Sequence, residues 1–419
     1  MKILHCADLH IDSPLTGLSK YEGFPAEELR GATRQAVQNL VDYACDPKNQ
    51  IDVVTVGGDV FDGSWESADT GLWWNRQLGR LAESGCEVFV VHGNHDADSR
   101  ITDRISPPPG VHVFGSDAPA SIEATNCDLV VHGQSYAHAA TLEDLGSAYP
   151  TAKPGVVNMG LLHTSLDGRP GHQPYSPCNP SNLSLKGYEL WGLGHIHMRD
   201  DQIQFGGSRF IFPGNTQGRS VRETGPKGAS VITFAEDRSI SSVEFVPFDV
   251  VRWTVAQIDI GEMEDAAGIR SAVQQHVLEA ASDGHTVAVR VELIGSGPLH
   301  TELAESTDKL ENQLRGDLGA LSGATVGLER VKNNTTAQRR TSDTTAAEQQ
   351  LIDFVQRAKD DPELLKQLAA QLKPAAQKLL AYDRRLREAD WPVDIDTDQV
   401  VSTHLDDSLE LLLARIGNK

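Results

Sequence analysis

The sequence contains five short motifs of aspartate, histidine and asparagine, side chains that bind divalent metal ions in hydrolytic enzymes. In chain order they are Asp8-x-His10, Gly58-Asp59, Asn94-His95-Asp96, His163 and His195-x-His197. In the two motifs with a spacing of two, both side chains point the same way at a strand end and can reach one ion. Each motif alone is more often an ordinary turn or a buried histidine. Five in succession, each after an apolar segment, indicate a metal site.

The mixture of carboxylate, imidazole and amide groups determines which chemistry this site could do. Such ligands suit Mn²⁺, Fe²⁺ or Zn²⁺ better than Mg²⁺, which prefers oxygen ligands alone. The candidate ligands are Asp8, His10, Asp59, Asn94, His163, His195 and His197. They are too many for one ion with an open position, but they suffice for two ions that share a carboxylate. Two ions roughly 3.5–4 Å apart can bind both the attacking and the leaving oxygen of a displacement at phosphorus.

Short β-branched segments precede these motifs and predict buried strands. They lie at 1–7, 51–57, 87–92, 128–132 and 156–162. Residues 26–45 and 66–84 have the apolar periodicity of amphipathic helices, and residues 203–212 and 229–247 are typical of antiparallel strands. The pattern predicts an α/β fold in which helices cover a mainly buried sheet.

The pattern changes near residue 249. Residues 250–331 predict strand, helix, strand, helix and a last short strand, which together form a small α+β unit. Residues 332–347 are polar and lack periodicity, so we expect a linker. Residues 348–419 predict helices that end in an apolar stripe. This stripe consists of Leu405, Leu409, Leu412 and Ile416.

The ordered motifs resemble those of the calcineurin-like metallophosphoesterase superfamily, and the resemblance covers about residues 1–248. It implies an α/β/β/α sandwich and a metal-bridging hydroxide as the nucleophile. One ion would be held by Asp8, His10, Asp59 and His197, and the other by Asp59, Asn94, His163 and His195. The resemblance assigns His95 to transition-state stabilisation or to protonation of the leaving group. It assigns Asp96 to orienting His95.

Within that superfamily, three segments resemble the SbcD/YhaO-type DNA repair exonucleases. They are GDVFD (58–62), GHIH (194–197) and FPGNTQGRSVRETGPKG (212–228). Protein phosphatases carry Asp-Arg-Gly after the Gly-Asp pair and Glu after Asn-His, whereas this chain has Val60 and Asp96 there. The resemblance implies a nuclease domain at 1–249, a capping domain at 250–331 and a C-terminal region that docks on an SMC-like ATPase. Arg219 and Arg222 are candidates for lining the substrate path.

Composition leaves two other functions open. The formal net charge is −22, which opposes binding of DNA by bulk charge and favours small nucleotide-like phosphoesters as an alternative substrate. A metal-retaining scaffold within an ATPase complex is the second alternative, although a scaffold would not need a full second metal site. The five scattered cysteines suit free thiols in a reducing compartment. With no signal-like N-terminus and no membrane-length apolar segment, we expect a cytoplasmic protein, which could act as a homodimer.

Overall fold

The computed structural model describes residues 1–13, 26–62, 68–97, 106–167, 174–281, 284–321, 325–337, 346–371, 405 and 408–409. The chain divides into two compact units. The first contains Met1–Ala256, Val273–Val291 and Gln313–Arg330, and the second contains Gln257–Ala272, Glu292–Asn312 and Val331–Lys419. This division differs from the predicted domain boundaries, which stay a prediction.

Six strands form the first sheet of the first unit. Four are parallel, namely β1 (Lys2–Cys6), β2 (Val53–Val56), β3 (Glu87–Val90) and β4 (Val111–Val113). The hairpin of β11 (Gly228–Phe234) and β12 (Ile240–Pro247) extends the sheet beyond β1 in the antiparallel direction. The strand order is β12-β11-β1-β2-β3-β4. The antiparallel strands predicted within 229–247 are therefore confirmed.

Six further strands form the second sheet, in the order β5-β6-β7-β8-β10-β9. Its parallel part consists of β6 (Leu129–Gly133), β7 (Val157–His163), β8 (Leu190–Gly194) and β10 (Ser208–Phe212). Its antiparallel edges are β5 (Ala120–Glu123) and β9 (Asp200–Phe205). All five segments predicted as buried strands are strands, with ends shifted by a few residues.

The alternation of side chains along the strands divides the core into layers. On β1, Leu4 packs toward helices α1 (Ala26–Cys45) and α2 (Ala68–Glu83), while Ile3 packs between the two sheets. On β8, Trp191 packs on the outer face of the second sheet, against the short helix α4 (Pro180–Ser184) and a 3₁₀ turn (Leu145–Ala148). These layers form the α/β/β/α sandwich that the resemblance implied.

The elements after residue 250 follow the predicted order of strand, helix, strand, helix and strand, with two further strands of two residues each. They are β13 (Val251–Asp259), α5 (Ala266–Ala280), β14 (Thr286–Ile294), β15 (Ser296–Gly297), α6 (His300–Gly319), β16 (Val326–Asn333) and β17 (Thr336–Ala337). Strands β13, β14 and β16 form a sheet, and β15 pairs with β17. The predicted linker at 332–347 is wrong for its first residues, because β16 continues to Asn333 and the Thr336 N–H bonds the carbonyl of Gly295. Residues 338–345 lie outside the described residues.

The described C-terminal residues are helical, as predicted. Helix α7 spans Ala346–Lys359, and a further helical stretch covers 362–371. Leu405 packs against Leu365 and Ala369 of the same unit, and Leu409 is buried. Leu405 of the predicted docking stripe is therefore packed within its own unit and Leu409 is buried, while Leu412 and Ile416 lie outside the described residues. Among the helices that the structure describes, none is long and apolar enough to cross a bilayer.

Candidate metal centre

The motif residues lie at the carboxyl ends of parallel strands in both sheets. Asp8 and His10 follow β1, Asp59 follows β2, and Asn94 begins the short helix α3 (Asn94–Ala97) after β3. From the second sheet, His163 ends β7, while His195 and His197 follow β8. Since the two sheets pack face to face, these edges meet and bring together residues that are up to about 190 positions apart.

Three overlapping groups of side chains in the described residues could each hold a cation. Within each group, one ligand atom per residue lies within 4.8 Å of the others. The groups are Asp8 with His10 and His197, His10 with Asp59 and His95, and Asp59 with His163 and His195. His10 and Asp59 each belong to two groups. Overlap of this kind is what a pair of ions with a shared carboxylate requires.

Four of these residues adopt a left-handed backbone, which is unfavourable for side chains other than glycine. The φ angles are 52° for Asp8, 42° for His10, 52° for Asp59 and 95° for His195. Hydrogen bonds hold the loops in this form: the Asp8 N–H donates to the Gly58 carbonyl at 2.9 Å, and the His10 N–H donates to the Asp59 carbonyl at 3.0 Å. The loops after β1 and β2 therefore fix each other, and their left-handed backbone places the side chains of Asp8, His10 and Asp59 close together.

Two glycines allow the loops to come this close. A Cβ on Gly93 would meet Asp59 Oδ1 and would lie 2.7 Å from His163 Cε1. A Cβ on Gly194 would meet the Gly57 carbonyl oxygen. The glycines before Asn94 and His195 are thus required by the space around the ligands.

The His163 imidazole is oriented by the backbone carbonyl of Gly57. Its Nδ1 lies 2.8 Å from the Gly57 carbonyl, so this nitrogen donates and Nε2 is the ring nitrogen that faces the other candidate ligands. Nε2 lies 3.1 Å from Asn94 Oδ1 and 3.5 Å from Asp59 Oδ2. Although burial lowers the pKa of His163, the Asp59 carboxylate raises it to about 9. Burial raises the pKa of Asp59, but His163 outweighs this and lowers it overall. His163 Nε2, Asn94 Oδ1 and Asp59 Oδ2 therefore lie close enough together to bind one cation.

His10 and His197 form the corresponding arrangement on the other side. Their Nε2 atoms face each other at 3.2 Å, and His197 Nε2 lies 4.0 Å from Asp8 Oδ1. Burial, helped by Arg219, lowers the pKa of His10 to about 3. The imidazole of His10 is therefore neutral near pH 7, which is the form that binds metal ions.

His95 differs from the ligands because 37% of its side chain is exposed. Its N–H donates to Asp59 Oδ1 at 2.9 Å, and its Nδ1 lies 3.4 Å from Asp62 Oδ1. The predicted partner, Asp96, is buried and accepts backbone hydrogen bonds from Phe61 at 2.9 Å and Gly93 at 3.0 Å. The backbone hydrogen bonds of Asp96 hold together the loops after β2 and β3, and Asp62 is a carboxylate beside the His95 imidazole. Orientation of His95 by Asp96 stays a prediction.

Arg219 lies in the site, beside Asp62 and His197. Arg219 Nη1 is 3.5 Å from Asp62 Oδ1, and Nη2 is 3.8 Å from Glu223 Oε1. Arg222 is exposed and donates its N–H to Ser220 Oγ. Burial raises the pKa of Glu223, but His197 and Arg219 together lower it below its ordinary value. Sequence reasoning missed Glu223 and Asp62, although both lie in segments that carry the resemblance.

Comparison with known proteins agrees with this site. The family model described as calcineurin-like phosphoesterase matches residues 1–198, which contain all seven candidate ligands. A second model, the middle domain of metallophosphoesterase YhaO, matches residues 253–336. The chain belongs to the calcineurin-like metallophosphoesterases, whose members bind two metal ions and hydrolyse phosphoesters.

Three individual proteins with similar sequences are a metallophosphoesterase, a DNA repair protein and a nuclease subunit. The chain is 31% identical to metallophosphoesterase YhaO of Bacillus subtilis over 301 residues, which cover 71% of this chain and 72% of that protein. It is 22% identical to the DNA double-strand break repair protein Mre11 of Sulfolobus acidocaldarius, with 72% and 77% covered. It is 32% identical to one of the subunits of nuclease SbcCD of Escherichia coli, but over 98 residues that cover 23% and 22%.

Proposed function

We propose that the chain is a dimetal-dependent DNA exonuclease, a hydrolase of phosphodiester bonds. The observation that carries the proposal is the set of three overlapping cation-binding groups around Asp59 and His10. Two relatives named for DNA repair or nuclease activity support DNA as the substrate. The net charge of −22 supports a second candidate, a phosphodiesterase of small nucleotide-like substrates, because an acidic surface repels a polyanion.

The side chains present fit two divalent ions. The facing Nε2 atoms of His10 and His197, and the facing Nε2 of His163 and Oδ1 of Asn94, are pairs of lone-pair donors that a cation between them would satisfy. We assign one ion to Asp8, His10, Asp59 and His197, and the other to Asp59, Asn94, His163 and His195. The mixture of carboxylate, imidazole and amide ligands suits Mn²⁺, which we assign first, and also Fe²⁺ or Zn²⁺. When bound, the ions supply Lewis acidity toward phosphate oxygens and lower the pKa of the attacking water.

The protein's own contribution to the reaction centres on His95. Its imidazole is the exposed one beside the buried ligands, so it can reach a phosphate oxygen of the substrate. Asp62, 3.4 Å from Nδ1, orients the ring. A protonated His95 would stabilise negative charge on phosphorus in the transition state or donate its proton to the leaving oxygen.

The same proposal includes the rest of the chain. Residues 1–249 would form the nuclease domain and 250–331 a capping domain, consistent with the match of 253–336 to the YhaO middle domain. Residues 348–419 would dock on an SMC-like ATPase. The name of the Escherichia coli relative, which marks it as part of a larger nuclease, supports a partner chain. We assign Arg219, which lies beside Asp62, and the exposed Arg222 to the substrate path.

The test combines activity with metal content. The parent protein with Mn²⁺ should degrade linear DNA, and His95→Ala should reduce the rate at least about 100-fold, the usual contribution of an acid–base group. His138→Ala, which removes an exposed histidine, is the matched control and should keep the parent rate. Both variants should retain two ions per chain, as measured by mass spectrometry of the metals.

Three outcomes separate the candidates. Degradation of linear but not covalently closed DNA supports an exonuclease. Turnover of cyclic nucleotides or an aryl phosphodiester without turnover of DNA replaces it with the small-substrate enzyme. An ion-loaded protein inactive on all of these, but captured by an SMC-like ATPase, supports a scaffold. A His95→Ala variant with the parent rate refutes the role of His95.

A further inference from the structure

A carboxylate outside the ligand motifs contacts one of the candidate ligands. Glu223 Oε1 lies 2.6 Å from His197 Nδ1, although the two residues are 26 positions apart. The side chain of Glu223 is 14% exposed and that of His197 is 19% exposed. An ionised carboxylate only accepts hydrogen bonds, so the imidazole must donate from Nδ1. The Nε2 lone pair of His197 is then directed toward His10 and Asp8.

The second oxygen of Glu223 is also engaged. Oε2 accepts hydrogen bonds from the Arg219 N–H at 2.6 Å and from Asn215 Nδ2 at 2.9 Å. Asn215 is fully buried, and its Nδ2 also donates to the Gln217 carbonyl at 2.8 Å. With both oxygens bound in this way, Glu223 does not act as a ligand itself. Its effect on a cation has to pass through His197.

The segment that carries Glu223 is anchored to strand β13. Gln217 Nε2 donates to the Val251 carbonyl at 2.6 Å, and Gln217 Oε1 accepts from the Val250 N–H at 2.9 Å. The indole N–H of Trp253 donates to the Gly218 carbonyl at 3.0 Å. The segment that carries Glu223 is therefore anchored to a regular strand by buried hydrogen bonds. This anchoring gives Glu223 the rigidity that a supporting residue needs.

We propose that Glu223 is a positioning residue that fixes the Nδ1–H tautomer and the ring orientation of His197 as a metal ligand. The inference rests on the proposed function only in assigning a metal ion to His197. The 2.6 Å contact with Glu223 decides the tautomer, because Arg219 Nη2, which can only donate, lies 3.5 Å from the same nitrogen. Without the carboxylate, a guanidinium would remain beside the imidazole and oppose a cation at Nε2.

Loss of a carboxylate behind a metal-binding histidine weakens metal binding by about 10- to 100-fold. We therefore expect Glu223→Gln to weaken one Mn²⁺ site of the full-length protein by this factor. The other site should keep its affinity, because Glu223 contacts His197, which we assign to the first ion alone. Glu236→Gln, on the exposed β11–β12 turn, is the matched control and should bind both ions as the parent does. Isothermal titration with Mn²⁺ alone measures both affinities.

A second measurement does not depend on any variant or on activity. Long-range ¹H–¹⁵N correlations of metal-free parent protein report which ring nitrogen of His197 carries the proton. Protonation at Nδ1 is expected, and protonation at Nε2 alone overturns the proposal. Unchanged affinity at both sites in Glu223→Gln also overturns it. A parent protein that binds no Mn²⁺ contradicts the proposed function instead, and the tautomer measurement still decides the role of Glu223.

Discussion

Replacing Gly93 with alanine should disturb the metal centre without touching a ligand. The added Cβ would meet Asp59 Oδ1 and would lie 2.7 Å from His163 Cε1 and 2.8 Å from His163 Nε2. Ordinary contact begins at 3.4 Å, so the imidazole must retreat by about 0.6–0.7 Å or the loop must move by as much. A displacement of about 1 Å in a catalytic site can reduce the rate about 100-fold. We expect a loss of about 10- to 100-fold.

Turnover of an aryl phosphodiester with Mn²⁺, together with titration of Mn²⁺ binding, measures this loss whatever the natural substrate is. The matched control is Gly79→Ala in α2, where the nearest atom to the new Cβ is 4.0 Å away. That control should keep the parent rate and stabilise the helix by up to about 1 kcal/mol. If Gly93→Ala binds Mn²⁺ and turns over substrate as the parent does, the crowding that we infer around Asp59 and His163 is absent.

Three other predictions concern stability, each measured by chemical or thermal unfolding. Burial lowers the pKa of the His5 imidazole from 6.5 to about 4, so the unfolded chain binds a proton at His5 more tightly than the folded chain does. Neutral His5 therefore stabilises the fold by up to about 3 kcal/mol; this stabilisation is complete above pH 6.5 and is lost as the pH falls toward 4. A His5→Gln variant should lack this part of the pH dependence, and an equal dependence would contradict the assignment. Mn²⁺ at 100 times its Kd should stabilise the parent by about 2.7 kcal/mol, and a chelator or Asp59→Asn should remove that gain. Trp191→Ala should destabilise by about 3–5 kcal/mol, because the ring is fully buried and stacks on Phe210; a change below about 1 kcal/mol would mean that the site refills.

The sequence identified most of the strands and helices because their apolar periodicity is local. Where it failed, the missing information was non-local. Strand β4 has only three residues and β5 is a mostly exposed edge strand, so neither carries an apolar segment that would predict a buried strand. Residues 332–337 are polar, yet they pair through their backbone with residues near 293–297, a contact that side-chain composition does not encode.

The same distinction holds for the candidate metal centre. Residue types, spacing and order by themselves determined the seven candidate ligands, since ligand chemistry and strand-end geometry are properties of short segments. Only the tertiary structure decided which carboxylate supports which histidine: Asp62 beside His95, Asp96 on backbone N–H groups, and Glu223 behind His197. These contacts join residues that are 26 to 36 positions apart in the sequence. They depend on loop conformations that are fixed when the two sheets pack together.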